Sequence, residues 1–297
     1  GDLTVGATVE ATAGDILLAA NGAGSDVILN AYVSAGDNVT VLAQDSVAQN
    51  ANIDSGWIQP SGTIDVEAFG GSITMADGTY SYSGGGLGGN VRYAAAGDVT
   101  LGQLEADIGL VSVVAGGSIL SAGTALGNNV QASGVQLRAA SGSIGQAAGS
   151  GNGPVLTDVD VLAASAAGSV YVSEADALTV GDVAAVDVNR IGLDSTTTPL
   201  AGAALSGAAA GQNVKIENGA VAAGDLTVAA AVTATADDVL LHALNGSLVL
   251  NAAVTAGGDA SLLASAGITQ AAAGDVTAGG TVDAEAFGGS IAMADGA

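Results

Sequence analysis

The chain has 297 residues and a formal net charge of −25, which arises from 29 acidic and only four basic residues. We expect no nucleic-acid partner, because neutralising phosphates requires clustered Lys and Arg. Hydrophobic residues make up 49% of the chain, which excludes a disordered protein, and the absence of cysteine excludes disulfide and thiolate chemistry. No run of 18 apolar residues occurs, so we expect no membrane insertion.

Short apolar runs recur along the chain, each preceded by a Gly-Asp, Gly-Ser or Ser-Asp pair. The pairs are, in order, Gly14-Asp15, Ser25-Asp26, Gly36-Asp37, Gly71-Ser72, Gly97-Asp98, Gly117-Ser118 and Gly224-Asp225. Alternating runs of this kind, bounded by turn-forming residues, are strand signals. Helix is the competing interpretation, because alanine is abundant and is the best helix former. Glycine interrupts the sequence too often for helices, so we predict strands.

The spacing of these runs predicts a solenoid. The step from Gly97 to Gly117 is 20 residues, and that from Gly14 to Gly36 is 22. Evenly spaced short strands can also form a sandwich or a propeller. However, the period is about half that of a propeller blade, and aromatic residues are only 3% of the chain. We therefore predict an all-β fold, a right-handed parallel β-helix (β-solenoid) with rungs of about 20 residues.

A longer repeat contains these rungs. Residues 65–78 and residues 283–296 are identical at 12 of 14 positions. Self-similarity at a fixed period is the signature of repeat architectures. We predict that residues 1–223 form one full repeat, and that residues 224–297 begin the next repeat and continue the first. On this interpretation the chain is part of a longer tandem array.

Four stretches interrupt the regular spacing and are predicted to leave the coil as loops: residues 50–63, 78–95, 146–158 and 194–213. Residues 50–63 contain Trp57, and residues 78–95 contain Tyr80 and Tyr82 beside a run of glycines. Binding residues concentrate on loops that a rigid scaffold holds in place. These three aromatic residues are therefore the predicted binding residues, if the protein binds a specific ligand.

Two segments resemble the shaft of filamentous-haemagglutinin-type exoproteins. Gly97-Asp98-Val99-Thr100-Leu101-Gly102 and Ala115-Gly116-Gly117-Ser118-Ile119-Leu120-Ser121-Ala122-Gly123 each combine a Gly-Asp or Gly-Ser pair, a short strand and a small-residue turn. The resemblance implies a bacterial surface adhesin with a right-handed parallel β-helix shaft, exported by two-partner secretion. It also implies an extracellular or bacterial cell-surface location. The family's N-terminal secretion domain is not recognised here, which leaves the export route open, and the family supplies no catalytic residue.

One pair of carboxylates in each copy of the repeat has a spacing that could serve catalysis. Glycoside hydrolysis requires two carboxyl groups about 5–10 Å apart, and residues two apart on a strand share one face. Asp65 and Glu67 satisfy that spacing, as do Asp283 and Glu285 in the second copy. A pair repeated along a rod is explained more simply as a solvated outer face. We predict no catalytic residue and no enzymatic activity.

No metal-binding or cofactor-binding residue is predicted. A zinc site needs more than the single histidine, His242, which is expected at the surface or in a loop. Calcium at a loop stays an open alternative because the chain is acidic, although the Gly-Gly-x-Gly-x-Asp motif of calcium-binding β-rolls is absent. Phe69 and Phe287, at equivalent positions in the two copies, are expected to pack inside.

The sequence predicts a structural role: the rigid shaft of an extracellular bacterial adhesin or surface fibre that supports cell adhesion or biofilm and matrix formation. Expected partners are other copies of the fibre or tandem repeats, joined end to end, with host-cell or matrix glycans as an open alternative. The second hypothesis is a glycan- or self-binding module that acts through loops 50–63 and 78–95. The third is a polysaccharide-active enzyme.

Overall fold

The computed structural model describes residues 1–56, 62–84, 89–149, 151 and 153–295. Within these ranges the chain forms strands, turns and bends, with no helix. It follows that no described segment is a helix of the length and hydrophobicity that membrane crossing requires. Parallel strands stack in a β-solenoid of about 12 turns. The predicted all-β, parallel solenoid fold is confirmed.

The chain divides into two compact units. The first contains Gly1–Val135 and Ala184–Ala204, and the second contains Gln136–Val183 and Leu205–Ala297. The strands in the first part of the chain are β1 (Leu3–Val5), β2 (Val9–Ala11), β3 (Ile16–Ala20), β4 (Val27–Leu29), β5 (Val33–Ala35), β6 (Val39–Ala43), β7 (Val47–Gln49), β8 (Ile53–Ser55), β9 (Ile64–Ala68), β10 (Ile73–Met75), β11 (Tyr80–Ser83), β12 (Val91–Ala95), β13 (Val99–Leu101), β14 (Gln103–Glu105), β15 (Leu110–Ala115), β16 (Ile119–Ser121) and β17 (Val130–Ala139). Those that follow are β18 (Val155–Ala166), β19 (Val170–Glu174), β20 (Leu178–Val180), β21 (Asp182–Val183), β22 (Val188–Ile191), β23 (Thr197–Leu200), β24 (Leu205–Ser206), β25 (Ala208–Ala210), β26 (Val214–Asn218), β27 (Leu226–Val228), β28 (Val232–Ala234), β29 (Val239–Ala243), β30 (Leu248–Leu250), β31 (Val254–Ala256), β32 (Ala260–Ala264), β33 (Ile268–Gln270), β34 (Val276–Ala278), β35 (Val282–Ala286) and β36 (Ile291–Met293).

Each turn of the first unit contributes one strand to each of three parallel ladders. The first ladder is β1-β4-β7-β10-β13-β16, the second is β2-β5-β8-β11-β14-β17, and the third is β3-β6-β9-β12-β15. Val27 pairs with Val47, 20 residues later, whereas Ile73 pairs with Val99, 26 residues later. The average step is roughly 24 residues. The predicted rung of 20 residues is therefore shorter than the average turn, because several turns have extra residues at their corners.

Side chains alternate between the core and the outer surface. In β4, Val27 and Leu29 have no solvent exposure, while Ile28 between them is partly exposed. This period of two is the geometry of a strand with one buried face. Fully burying a Val, Leu or Ile side chain stabilises a fold by roughly 1.5–3 kcal/mol. A thin core of such residues, repeated turn after turn, supplies the hydrophobic stabilisation of each unit.

An enclosed aromatic ring is an exception to this aliphatic core. Tyr93 of β12 is fully buried. Its hydroxyl donates to Oε1 of Gln49 at 2.7 Å and lies 2.6 Å from Oγ of Ser81. Nε2 of Gln49 donates to Ser81 Oγ at 3.0 Å. A buried phenol needs such partners, so three polar side chains from two successive turns satisfy one another inside the coil.

The second unit uses the same plan. Its ladders are β20-β27-β30-β33-β36, β25-β28-β31-β34 and β19-β26-β29-β32-β35, and the long strand β18 pairs with β19, β20 and β25. Strands β27–β36 have the same lengths, in the same order, as β1–β10: three, three and five residues, repeated. The two copies of the repeated sequence therefore form the same succession of strands. The division of the chain after residue 223 stays a prediction.

Two predictions about the irregular stretches are wrong. Residues 78–95 contain β11 and β12, because Tyr80-Ser81-Tyr82-Ser83 alternates with its serines inward, as a strand of the coil does. Residues 50–63 likewise contain β8, while Trp57 lies outside the described residues.

Phe69 and Phe287, which were expected to pack inside, are 44% and 66% exposed. Each follows the last residue of a five-residue strand, where the chain turns a corner, so the ring points away from the core.

Candidate functional site

The predicted binding residues Tyr80 and Tyr82 stand on the outer surface of the second ladder. In β11 their neighbours Ser81 and Ser83 are buried, and both tyrosines are partly exposed. Parallel register places Tyr82 between Asp54 of β8 and Glu105 of β14. We call this surface the tyrosine face and define it by Tyr32, Asp54, Tyr80, Tyr82, Glu105 and Asp107.

Hydrogen bonds tie the tyrosines to the carboxylates of this face. The hydroxyl of Tyr32 donates to Oδ2 of Asp54, and that of Tyr82 donates to Oδ2 of Asp107 at 2.9 Å. The backbone N–H of Tyr80 donates to Oδ1 of Asn52, one turn earlier, at 3.1 Å. The ring positions are therefore fixed by contacts from neighbouring turns.

Burial raises the pKa of two carboxyl groups of the tyrosine face, and neighbouring charges raise that of Glu105 further. Burial raises the pKa of Asp54, although the bond from Tyr32 favours its charged form. Burial and the charges of Asp107 and Asp54 raise the pKa of Glu105. Burial and Asp54 together raise the pKa of Tyr32 to about 12. Throughout the described chain, no Lys, Arg or His forms an ion pair with these three carboxylates.

Asp54 has an unsatisfied oxygen on this side of the coil. Its neighbours in β8, Ile53 and Ser55, alternate with it and Ile53 lies in the core, so the Asp54 side chain is directed outward. The residue is nevertheless only 3% exposed. Its Oδ1 is buried without a hydrogen-bond partner among the described residues. Leaving a buried acceptor unpaired is costly, which singles out this position.

The carboxylate pair considered for catalysis lies beneath the hairpin formed by β22 and β23. Nη1 of Arg92 contacts Asp65 Oδ1 at 2.7 Å and Glu67 Oε2 at 3.0 Å. Nε of Arg190, from the hairpin, contacts Asp65 Oδ2 at 2.6 Å, and its Nη2 contacts Glu67 Oε2. Asp65 has no solvent exposure. Two of the four cations of the chain are used here.

This ion-pair cluster does not match the requirements of a glycosidase. Burial opposes ionisation of Glu67, but hydrogen bonds and charge from Arg190 and Arg92 outweigh it and lower the pKa. A general acid needs a raised pKa instead. The expected solvated face is found for Asp283 and Glu285, which are exposed, and is wrong for the first pair. Sequence reasoning missed the hairpin that covers it.

Backbone contacts fix the β22–β23 hairpin on the third ladder. The N–H of Asn189 donates to Oγ1 of Thr63 at 2.8 Å, and that of Ile191 donates to Oγ1 of Thr40 at 3.1 Å. The hydroxyl of Thr197 donates to Asp15 Oδ2 at 2.7 Å. The hairpin therefore joins several turns of the first unit.

A second acidic group lies in the second unit. Asp158, Glu174 and Asp176 each offer one carboxylate oxygen, and these oxygens lie within 4.8 Å of one another. Glu174 accepts from Oγ1 of Thr157 and from the N–H groups of Val159 and Ala175. Calcium takes six to eight oxygen ligands, and the three converging oxygens, one from each carboxylate, are three of them. Calcium binding stays a prediction.

His242 lies on β29 rather than in a loop. Its side chain is directed outward and is 23% exposed, with Nδ1 3.6 Å from Oε1 of Glu217 in the adjacent strand. Lys215 also contacts Glu217, at 3.1 Å. The histidine thus belongs to a partly exposed charged row on the outer surface.

Comparison of the chain with protein-family models, with characterised proteins and with solved structures finds no match. The fold places the chain in the class of parallel β-solenoids. The resemblance to filamentous-haemagglutinin-type exoproteins stays a hypothesis.

Proposed function

We propose that this chain is part of the structural shaft of an extracellular bacterial adhesin or surface fibre, built from tandem repeats of about 220 residues. The observation that carries the proposal is the repeated plan of strands. Ten successive strands of three, three and five residues occur once in β1–β10 and again in β27–β36. A sequence that repeats its strands in this way extends a coil by adding turns.

Parallel ladders give such a shaft its mechanical properties. Each turn forms backbone hydrogen bonds with the turn before it and the turn after it. The stability of the solenoid is therefore roughly a sum of nearest-neighbour contributions. Inward side chains stack on equivalents of similar size, as Val39 does on Ile16 and Ile64. The acidic outer surface favours solubility and opposes lateral aggregation.

Fibre diffraction from the purified full chain, together with antibody labelling of intact cells that produce the protein, tests this proposal. Aligned stacked turns give an axial spacing of about 4.8 Å, and a surface shaft is labelled without permeabilising the cells. A globular particle without that spacing, or labelling only after permeabilisation, would contradict the proposal.

The role we propose is non-catalytic. What supports it is that Asp65 and Glu67 each bind two arginines, which lower the pKa of Glu67 and make it unsuited to act as a general acid. Incubation with a panel of polysaccharides, followed by a reducing-end assay, provides the test. Turnover that disappears in Glu67→Gln would reinstate the enzyme hypothesis.

Ligand binding by the shaft is a second candidate function. The supporting observation is the tyrosine face, which brings together residues from the two stretches 50–63 and 78–95. Binding would then occur on the side of the coil rather than on projecting loops, through residues of consecutive turns.

A further inference from the structure

We propose that the tyrosine face is a docking site for a basic segment of a partner protein, one that presents arginine or lysine side chains. This assignment extends beyond a load-bearing role, and it depends on the local chemistry of four successive turns rather than on the shaft hypothesis.

Charge is the first argument. Asp54 and Glu105 lie on β8 and β14, on either side of β11, so their Cα atoms are about 10 Å apart at the usual strand spacing. Asp107 follows two residues after Glu105. Arg92 and Arg190, which belong to the same unit, are bound to Asp65 and Glu67. A cation from a partner would reduce the repulsion among these carboxylates, which form no ion pair with a described cation of the chain.

Aromatic rings are the second argument. Tyr80 and Tyr82 are partly exposed and lie in the same strand, between the turns that carry the acids. A guanidinium or ammonium group is attracted to the face of an aromatic ring within about 6 Å. Carboxylates and rings alternate on this surface, so a chain of cationic side chains would find both kinds of partner.

The unsatisfied Oδ1 of Asp54 is the third argument. It is a buried acceptor on the outward side of β8, and the same carboxyl group already accepts from Tyr32 through Oδ2. An arginine offers several N–H donors in one plane. A guanidinium that reached Oδ1 would supply the hydrogen bond that no described residue provides.

The same geometry disfavours a metal ion and a neutral glycan. Among the described residues, the acidic oxygens that converge within 4.8 Å belong to Asp158, Glu174 and Asp176, so the acids of the tyrosine face do not surround one ion. A neutral sugar would leave the mutual repulsion of the carboxylates unchanged. The hydroxyls of Tyr32 and Tyr82 are already committed to carboxylates.

Isothermal titration of the full chain with a hexa-arginine peptide, at low ionic strength, tests the site. The variant Glu105→Gln/Asp107→Asn should bind about tenfold more weakly, since it removes two charges beside the rings. Asn is chosen at 107 because this residue has φ of 45°, a conformation that Asn tolerates.

The matched control is Asp283→Asn/Glu285→Gln, which removes the same charge from an exposed pair elsewhere. It should change the affinity less than about twofold, because only long-range attraction is altered. An equal loss in both variants would mean that the peptide responds to net charge alone, and would overturn the proposal.

The rings are tested separately. Tyr80→Ala should weaken peptide binding about threefold to fivefold, and Tyr80→Phe should retain it, since the ring face rather than the hydroxyl attracts the cation. Tyr171→Ala removes a partly exposed tyrosine of the second unit and serves as control. Far-UV circular dichroism of each variant verifies that the ladders persist.

Two further titrations distinguish other ligands. Calcium chloride alone, or a neutral oligosaccharide such as maltohexaose, should give no heat that depends on Glu105 or Tyr80. Binding of either probe that is lost in those variants, with no effect on the peptide, would replace the cationic partner by that ligand. None of these outcomes bears on the axial spacing of the shaft.

Discussion

Glu174 is fully buried, and burial raises the pKa of its carboxyl group from 4.5 to about 7, although three hydrogen bonds favour the charged form. Below pH 4.5 the group is protonated in both the folded and the unfolded state. Between 4.5 and 7 the folded state retains a proton that the unfolded state has released. The free energy of unfolding therefore falls as the pH rises through this window, by about 3 kcal/mol.

Glu174→Gln, which stays neutral, should remove this pH dependence and be more stable than the parent chain at pH 8. Urea unfolding at a series of pH values measures the effect. Glu285→Gln, at an exposed position, should leave the pH profile almost unchanged. Parallel profiles for the parent chain and Glu174→Gln would show that the buried carboxyl group is not protonated near neutral pH.

Arg190 carries a second prediction at the scale of single residues. Arg190→Gln leaves the fully buried Asp65 with Arg92 as its remaining cation, and an undercompensated buried charge is costly. We expect urea unfolding to show a loss of about 2 kcal/mol. Lys215→Gln, whose pair with Glu217 is partly exposed, should cost less than about 1 kcal/mol. Equal losses would show that the hairpin cluster behaves as an ordinary surface pair.

The β22–β23 hairpin raises a question at the scale of elements, because it lies outside the ladders. Strand β20 pairs directly with β27, and β18 pairs with β25, across the residues that contain it. Val183 and Leu205 face each other in the antiparallel pair β21–β24. Replacing residues 184–204 by Asn-Gly, a two-residue hairpin turn, should therefore preserve the ladders.

Far-UV circular dichroism should show the same strand content after this deletion, and the thermal midpoint should fall because Asp65 and Thr40 lose their cover. Deleting the hairpin together with Glu67→Gln should recover part of that loss, since Asp65 then keeps Arg92 without a second carboxylate sharing it. Collapse of the strand signal would instead make the hairpin necessary for the coil.

What could be predicted from the sequence follows from the range of each interaction. Alternation and turn pairs act within a few residues, so β4, β6 and β13 were recognisable, and so was the solenoid. The hairpin was not, because Asn189 meets Thr63 at a separation of 126 residues. The alternation in Tyr80-Ser81-Tyr82-Ser83 indicates a strand, but the glycines that follow it favour the predicted loop. The acids that accompany those tyrosines come from two other turns, and register alone brings them together.

The last described turn exposes apolar side chains whose counterparts in the first copy are buried. Val282, Ile291 and Met293 are 52%, 46% and 60% exposed, around a groove of about 410 Å³. Their counterparts in the first copy, Ile64, Ile73 and Met75, are almost wholly buried, because β12 and β13 pair with those strands. The sequence is nearly the same in both copies, so the difference in exposure comes from the neighbouring turn.

We expect the β1 strand of another repeat, or of a second copy in a solution of these 297 residues, to extend this edge. Strand β1 has three residues, as β36 does, so it can continue the ladder that contains β36. Apolar side chains such as Leu3 and Val5 would then stack on Ile291 and Met293. Sedimentation velocity over a wide range of protein concentration should reveal end-to-end association, which salt should strengthen by screening the net charge of −25 on each copy.

Ile291→Lys/Met293→Lys should abolish this association, because two buried ammonium groups would face an aliphatic core. Ala292→Lys, on the same strand but at the position equivalent to the outward Thr74, should leave it intact. Loss of association in both variants would indicate lateral contact between outer surfaces. In that case a lysine on the acidic outer surface would disturb the contact as much as lysines at the core edge. Loss in the first variant alone requires contact through the core edge, the geometry by which each turn of the coil already supports the next.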